Sequence, residues 1–474
     1  MCHSDFSIEQ GATLPDTAYH PMPTRTSYVR WGLVFWLFVL SAVAYLDRVN
    51  LSIAGAKLTE EFGIGNVQLG FVFSAFLFGY ALFQTPAGWL ADRFGPRRVL
   101  TLGVVWWGVF SALTAAISHS VVNAVLLLIG IRFLLGAGEA IMYPASNQFV
   151  ARWIPTHERG AANGIIFAGV GIGAGITPPL ISHIMLRYGW RSSFLLSAVI
   201  GLAAGAVWFL IARDTPEAHS AVSPGELAAI QQGIPKARGA LQSSRISWLT
   251  ILTSPTVWML SLAYFCFGYV AWVFFSWFYL YLARVRGLDL KASSLYATLP
   301  FLAMAVCSPL GGAISDALAK RVGPRVGRCS IAILGFALTS IFIIFGSAAQ
   351  DTRVASLVLA GGAGSLYLSQ SAFWAVSADL GGKSAGGLSG FMNMANQIGG
   401  MITVSLTPFL AGKFGWNAGF RVAAIVAALG ALAWLFVDPR ANLSVSPAGG
   451  LAEPALSEPA ALKQRRLSKQ REPA

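Results

Sequence analysis

Apolar residues in this chain come in long blocks, and that pattern limits the fold more than any other feature of the sequence. Twelve blocks run at about 29–55, 66–90, 99–118, 122–150, 161–185, 192–212, 254–283, 295–315, 329–348, 353–378, 387–411 and 419–437. A helix of about 20 apolar residues crosses a bilayer core, and in lipid only helices and closed barrels satisfy their own backbone. Only 11% of the 474 residues are charged, against roughly 25% in soluble proteins. The expectation is an all-α membrane protein with 12 transmembrane helices.

A net charge of +13 raises the question of a nucleic-acid partner, and its placement answers it. Of the 33 Lys and Arg, 22 fall between spans on the side of the N-terminus, nine fall on the other side, and Arg48 and Arg132 lie within spans. An excess of Lys and Arg in cytoplasmic segments sets orientation without any nucleic acid. Both termini are therefore expected in the cytoplasm. Cys2, Cys266, Cys307 and Cys329 show no paired spacing and read as small packing residues. The first block is too long for a signal peptide and carries Asp47 and Arg48 before Ala54-Gly55-Ala56, so it is expected to stay uncleaved.

The blocks divide six and six. Expected boundaries are a cytoplasmic tail at 1–28, one bundle at 29–213, a charged cytoplasmic linker at 214–247, a second bundle at 248–438 and a disordered tail at 439–474. The halves repeat each other. Gly88-Trp89-Leu90-Ala91-Asp92-Arg93-Phe94-Gly95-Pro96-Arg97-Arg98 follows the second span, and Gly312-Ala313-Ile314-Ser315-Asp316 follows the eighth, with Arg321, Gly323, Pro324 and Arg325 beyond it. Tyr188-Gly189-Trp190 precedes the sixth span and Phe414-Gly415-Trp416 the twelfth. Two independent markers at offsets of 224 and 226 residues make a duplication. Duplicated six-helix halves holding a ligand between them is a transporter architecture.

The loop Gly-x-x-x-Asp-Arg-x-Gly-x-Arg-Arg resembles the major facilitator superfamily signature between helices two and three, with its degenerate second copy. The resemblance covers about residues 29–438 and implies two pseudo-symmetric bundles, no enzyme activity, and monomeric function. Asp92, Arg93, Arg97 and Asp316 are the candidate latch, with Asp92 near helix ends where it can pair with basic loop residues.

A charge inside a membrane helix is costly and marks function. Four such residues lie in the first half, Asp47, Arg48, Arg132 and Glu139, and the matching spans of the second half carry none. Ser41, Tyr45, Arg48 and Ser52 share one helix face, and the planar fork of Arg suits a carboxylate. Asp47 lies about 100° round the helix from Arg48. Arg132 and Glu139 are two turns apart on one face. Glu139, deep in the fourth span, is a candidate proton carrier, and a structural ion pair with Arg132 or Arg48 is the alternative, compatible reading.

Tyr45-Leu46-Asp47-Arg48-Val49-Asn50-Leu51-Ser52 and Arg132-x-x-x-Gly136-x-Gly138-Glu139-Ala140 resemble the anion:cation symporter branch, which includes bacterial sugar-acid, hexuronate and phthalate carriers and is related to sialin and the vesicular glutamate carriers. That resemblance implies Arg48 and Arg132 as ligands of a substrate carboxylate, Asp47 and Glu139 as proton sites, and Tyr80, Gln84, Ser371, Trp374 and Asn393 in the pocket. It implies a cell inner membrane location. Polar and aromatic stripes support the set from the residues themselves: Tyr80 and Gln84, then Tyr367, Ser371 and Trp374, then Asn393 and Gln397, and Phe265, Tyr269, Trp272 and Ser276. Two departures bear on the substrate. The fifth span has no polar side chain in Phe167-Ala168-Gly169-Val170-Gly171-Ile172-Gly173, and Tyr279 stands where the branch has Pro. Both keep aromatic and short-chain acids in view beside sugar acids.

The sequence reading is proton-coupled uptake of a small organic carboxylate by alternating access. A proton-coupled exporter of the same fold is the alternative, but the Gly-Pro-x-x-Gly-Gly of exporters is missing from Gly175-Ile176-Thr177-Pro178-Pro179. A membrane sensor is the other. No cofactor motif, metal-spaced cluster or nucleophile elbow stands out. Orientation is directly testable. In a chain freed of its own cysteines, Arg98→Cys should react with an impermeant maleimide only from the cytoplasmic side and Arg353→Cys only from outside; labelling of both from one face would overturn it.

Overall fold

Prolines and glycines decide where these helices start and stop. In this computed structural model α1 spans Val29–Phe62, α2 Asn66–Phe94, α3 Pro96–Ala116, α4 Ala124–Glu139, α5 Met142–Trp153, α6 Arg159–Tyr188 and α7 Trp190–Ile211. Two short helices follow, α8 at Pro224–Gly233 and α9 at Trp248–Thr253. Six long ones complete the chain: α10 at Pro255–Ser276, α11 at Leu290–Val322, α12 at Pro324–Ala348, α13 at Thr352–Gly381, α14 at Ala385–Phe414 and α15 at Trp416–Trp434. The structure describes residues 27–441 and 443, apart from 65, 119, 121, 235–245, 279, 280, 283, 284 and 289. The expected loose tails, most of the linker's second part and Tyr279 lie outside the described residues.

Among the described residues there are no strands, and ten spans are long and apolar enough to cross a membrane. They are α1, α2, α3, α4 with α5, α6, α7, α10, α11, α12 and α15. The two remaining long helices, α13 and α14, are 30 residues each. Their buried faces carry Ser365, Ser369, Gln370, Ser371 and Ser377, and Asn393, Asn396, Gln397 and Thr403. Such faces lower their hydropathy because they are turned inward, where polar groups find partners.

The fourth apolar block, read in sequence as one helix, is two. Pro144 has no N–H for the carbonyl of Ala140, and the helix breaks at Ala140–Ile141, one residue past Glu139. The tightened bond from Ile141 N to Gly138 O, 3.3 Å, marks the break.

Helices α1–α7 pack mainly on one another, as do α10–α15, and the two groups meet along α2 with α14 and α6 with α11. These contacts are related by the duplication. A Cβ on Gly386 would lie 2.6 Å from the carbonyl oxygen of Gly88, and one on Gly160 would lie 2.8 Å from that of Gly312. Backbones this close leave no room for a side chain. The signature glycines therefore mark where the halves cross.

Above each crossing sits the signature aspartate. Asp92 accepts from the amides of Gly386 (2.9 Å) and Gly387 (2.7 Å), in the first turn of α14. Asp316 accepts from Gly160 (3.1 Å) and Ala161 (2.6 Å), in the first turn of α6. A carboxylate at a helix N-terminus meets unpaired N–H groups and the positive end of the dipole. The sequence reading paired Asp92 with basic loop residues; the structure adds the opposite half's helix ends. Around Asp316, Arg328 pairs with the carboxylate and donates to Thr156 O (2.7 Å), while Arg159 binds Asp379 (2.7 Å). Asn147 donates to Ser377 Oγ at 2.9 Å. The halves are thus closed at this basic end.

The linker contributes structure as well. Glu226 of α8, fully buried, accepts from the amides of Val29 and Arg30 at 3.1 Å each and from Ser27 Oγ at 2.5 Å, so it caps the start of α1.

Gly312→Val should overpack the α6–α11 crossing and cost about 1–3 kcal/mol. Gly130→Ala, with open space around it, should cost nothing measurable. Melting of the purified protein tests both. Equal melting temperatures would contradict the crossing geometry.

Candidate functional site

Arg48 and Glu139 come together where α1 passes the end of α4. Arg48 Nε donates to Glu139 Oε2 at 2.6 Å, with the Arg48 side chain 8% exposed and Glu139 fully buried. The guanidinium carbon also lies 4.3 Å from the ring centre of Tyr80 and 4.7 Å from that of Tyr45. Ring faces attract a cation and shield it from water. The pair is short and charge-assisted, among the stronger hydrogen bonds a protein makes.

Asp47 and Arg132 form the second part of the cluster. Ser111 of α3 donates to Asp47 Oδ1 at 2.5 Å. The Phe76 ring serves both arginines, 5.6 Å from the Arg48 guanidinium carbon and 5.0 Å from that of Arg132. Among the described residues, Arg48 Nη2, Arg132 Nε and Nη1, Glu139 Oε1 and Asp47 Oδ2 have no hydrogen-bond partner. A buried polar atom without a partner costs about 1–3 kcal/mol, more when charged. The cluster thus holds spare donors suited to an anion and spare acceptor capacity on two carboxylates.

Arg48 opens onto a cavity between the halves. Tyr45, Tyr143, Phe167 and Val170 line it from the first half. From the second come Tyr264, Phe267, Ala271, Trp272 and Phe275 of α10, Tyr367 and Gln370 of α13, and Asn393, Asn396 and Gln397 of α14. Towards the closed end, the Tyr143 and Phe167 rings stack at 4.7 Å, and Phe167 meets Trp374 across the halves at 5.1 Å. Trp374 Nε1 and Gln370 Nε2 both donate to the Tyr264 hydroxyl, at 2.8 and 2.9 Å. Asn393 Nδ2 donates to Gln84 Oε1 at 3.0 Å, joining α14 to α2. Among the described residues, no group of three or more His, Cys, Asp or Glu could hold a metal ion.

The residues singled out in sequence fall into three places. Tyr45, Arg48, Asn393 and Gln397 line the cavity; Tyr80, Gln84 and Trp374 touch its lining side chains. Glu139, Asp47 and Arg132 lie buried behind Arg48, with Arg132 outside the cavity wall. Ser371 turns away and donates to Ser308 O at 3.0 Å. Asp92 and Asp316 reach across the halves, as given above. Arg97 stays in its own half, its backbone amide on Asp214 (2.9 Å) and its guanidinium on Phe209 O (2.7 Å), and Arg93 lies over Trp89 at 5.3 Å. The Ser52 side chain lies outside the described ones.

Several site residues went unnoticed in sequence. Tyr264, Phe267 and Phe275 face the cavity beside Trp272, whereas Phe265, Tyr269 and Ser276 of the stripe read in sequence do not line it, because α10 is apolar on all sides and its faces look alike. Ser111 is one of three hydroxyls, with Thr101 and Thr114, in a mostly apolar helix, and nothing in its spacing singles it out. Arg328, in sequence one more basic residue, is the partner of Asp316. Gln370 was legible as the one amide side chain in α13.

Comparison with known proteins gives the family and the fold. A model of the Major Facilitator Superfamily matches residues 37–403 and 293–471. The chain is 34% identical to the probable sulfoacetate transporter SauU of Cupriavidus necator, over 84% of this chain and 91% of that protein. It is 32% identical to the probable galactarate/D-glucarate transporter GudP of Bacillus subtilis, over 83% of this chain and 87% of that one. Among solved structures, the proton:xylose symporter XylE bound to 6-bromo-6-deoxy-D-glucose superposes with a TM-score of 0.69, at 15% identity, covering 87% of this chain and 96% of that one. The chain belongs to the Major Facilitator Superfamily: it is a multi-pass membrane transporter, not an enzyme.

Proposed function

We propose that this transporter carries a small organic anion into the cell together with protons. The observation that carries the proposal is the buried pair formed by Arg48, on the cavity wall, and Glu139 behind it. The relatives named for sulfoacetate, galactarate and D-glucarate support an organic anion as the cargo.

Charge arithmetic gives the coupling. Arg48, Arg132, Asp47 and Glu139 sum to zero when all are ionised. An arriving carboxylate adds one negative charge in a setting where uncompensated charge is costly. Arg48 can meet that carboxylate fully only by loosening its hold on Glu139, and Glu139 then lacks a partner. A proton on Glu139 resolves both, restoring neutrality and releasing the guanidinium fork. Asp47, held by Ser111 on one oxygen and unpartnered on the other, is the second proton-coupling candidate, although one proton suffices for the balance above.

Alternating access follows from the closed basic end. α13 and α14 complete twelve spans with the ten apolar ones, in bundles 29–213 and 248–438, with both termini in the cytoplasm of a cell whose inner membrane holds the chain. The anion then enters from outside, and release requires Asp92 and Asp316 to leave the first turns of α14 and α6. Arg93 and Arg97 brace the first loop during that motion, and the chain works as a monomer.

Proteoliposomes loaded with a pH dye test this. Adding hexuronates, aldonates, aldarates, phthalate, sulfoacetate and short hydroxy acids one at a time should acidify the interior for at least one of them. Arg48→Ala should lower the rate about a hundredfold or more, since truncating one partner of a buried, hydrogen-bonded charge pair costs about 2–5 kcal/mol of binding. Glu139→Gln should abolish acidification while leaving exchange of labelled anion across the membrane. Silence from folded protein across the panel, or acidification that survives Glu139→Gln, would contradict the proposal.

A further inference from the structure

The two walls of the cavity differ in kind. Arg48 is its one charged lining residue among the described ones, and it belongs to the first half. The second-half wall carries only neutral polar groups, the amides of Gln370, Asn393, Asn396 and Gln397 and the phenols of Tyr264 and Tyr367, set among aromatic rings. Gln370, Asn393 and Gln397 are at least 96% buried. Gln370 Oε1 and Gln397 Oε1 have no hydrogen-bond donor among the described residues.

We infer that this site selects a singly charged, hydroxylated carboxylate, with the carboxylate on Arg48 and the hydroxyls on the neutral second-half wall, and discriminates against acids with a second anionic group. This rests on the anion-carrier reading above and narrows it. The physical argument concerns what each partner can offer. An amide or a phenol both donates and accepts, and so does a hydroxyl, so the match holds whichever way each amide is turned. A second carboxylate or a sulfonate only accepts. It also brings a charge, and among the described residues no cation on that wall offsets its desolvation. Arg132 does not supply one, since it lies buried behind the wall at 1% exposure. A carboxylate with a plain alkyl chain fails for the opposite reason: the amide oxygens stay unpaired.

Galactonate, galactarate and hexanoate form a matched test, sharing a six-carbon chain and differing in the far carboxylate or in the hydroxyls. Competition against the anion identified by the pH-dye assay, and quenching of cavity tryptophan fluorescence by Trp272 and Trp374, give two readouts. Galactonate should compete at least about tenfold better than galactarate, sulfoacetate and hexanoate. Gln397→Leu should erase most of the preference for galactonate over hexanoate without weakening hexanoate itself. Galactarate or sulfoacetate binding as well as galactonate would overturn the inference while leaving anion transport standing. If no acid of the panel competes or moves protons, the carrier reading itself falls.

Discussion

The proposed function of this molecule rests on an ion pair, Arg48 and Glu139, held deep inside an apolar protein. Taking two charges out of water costs several kcal/mol each, and their attraction returns that only with good geometry and satisfied hydrogen bonds. Here the geometry is good but the satisfaction is partial, since Arg48 Nη2 and Glu139 Oε1 remain without partners. A pair in that condition is sensitive to any third charge. An anion, a proton or both together can rearrange it, and that sensitivity is what coupling requires.

The frame around the pair is symmetric while the chemistry is not. Both signature aspartates bind the first turn of a helix in the opposite half, and both signature glycines admit a backbone crossing beside it. A duplicated frame lets either bundle tilt against the other over equivalent contacts. The charges, by contrast, sit in α1 and α4 alone, and the amides and phenols of the opposite wall come from α10, α13 and α14. One half therefore carries the buried charge of the site, and the other gives the cavity its neutral amides and phenols. Arg328 and Arg159 break the symmetry again at the closed end, where they tie Asp316 and Asp379 into one network.

Much of this was legible from the chain, for identifiable reasons. Helix-length apolar blocks and the offset repeats disclosed the architecture because lipid leaves few alternatives. The four buried charges stood out because each is expensive where it lies. Legibility failed where several faces of a helix look alike. The cavity face of α10 could not be read from residues apolar all round, and Ser111 gave no periodic sign of its bond to Asp47. The break after Glu139 was in principle visible as Pro144, but a continuous apolar block concealed it. Ser371 shows the converse, a polar residue on an inward helix whose partner is a neighbouring carbonyl.

The account stands on protonation of Glu139 accompanying anion binding. Proton uptake by purified protein on adding the anion, followed with a pH indicator in weakly buffered solution, measures this without transport. Binding should take up protons in the wild type, and Glu139→Gln should bind the anion with that uptake lost. Anion binding with no proton taken up by the wild type, or with uptake unchanged in Glu139→Gln, would contradict it.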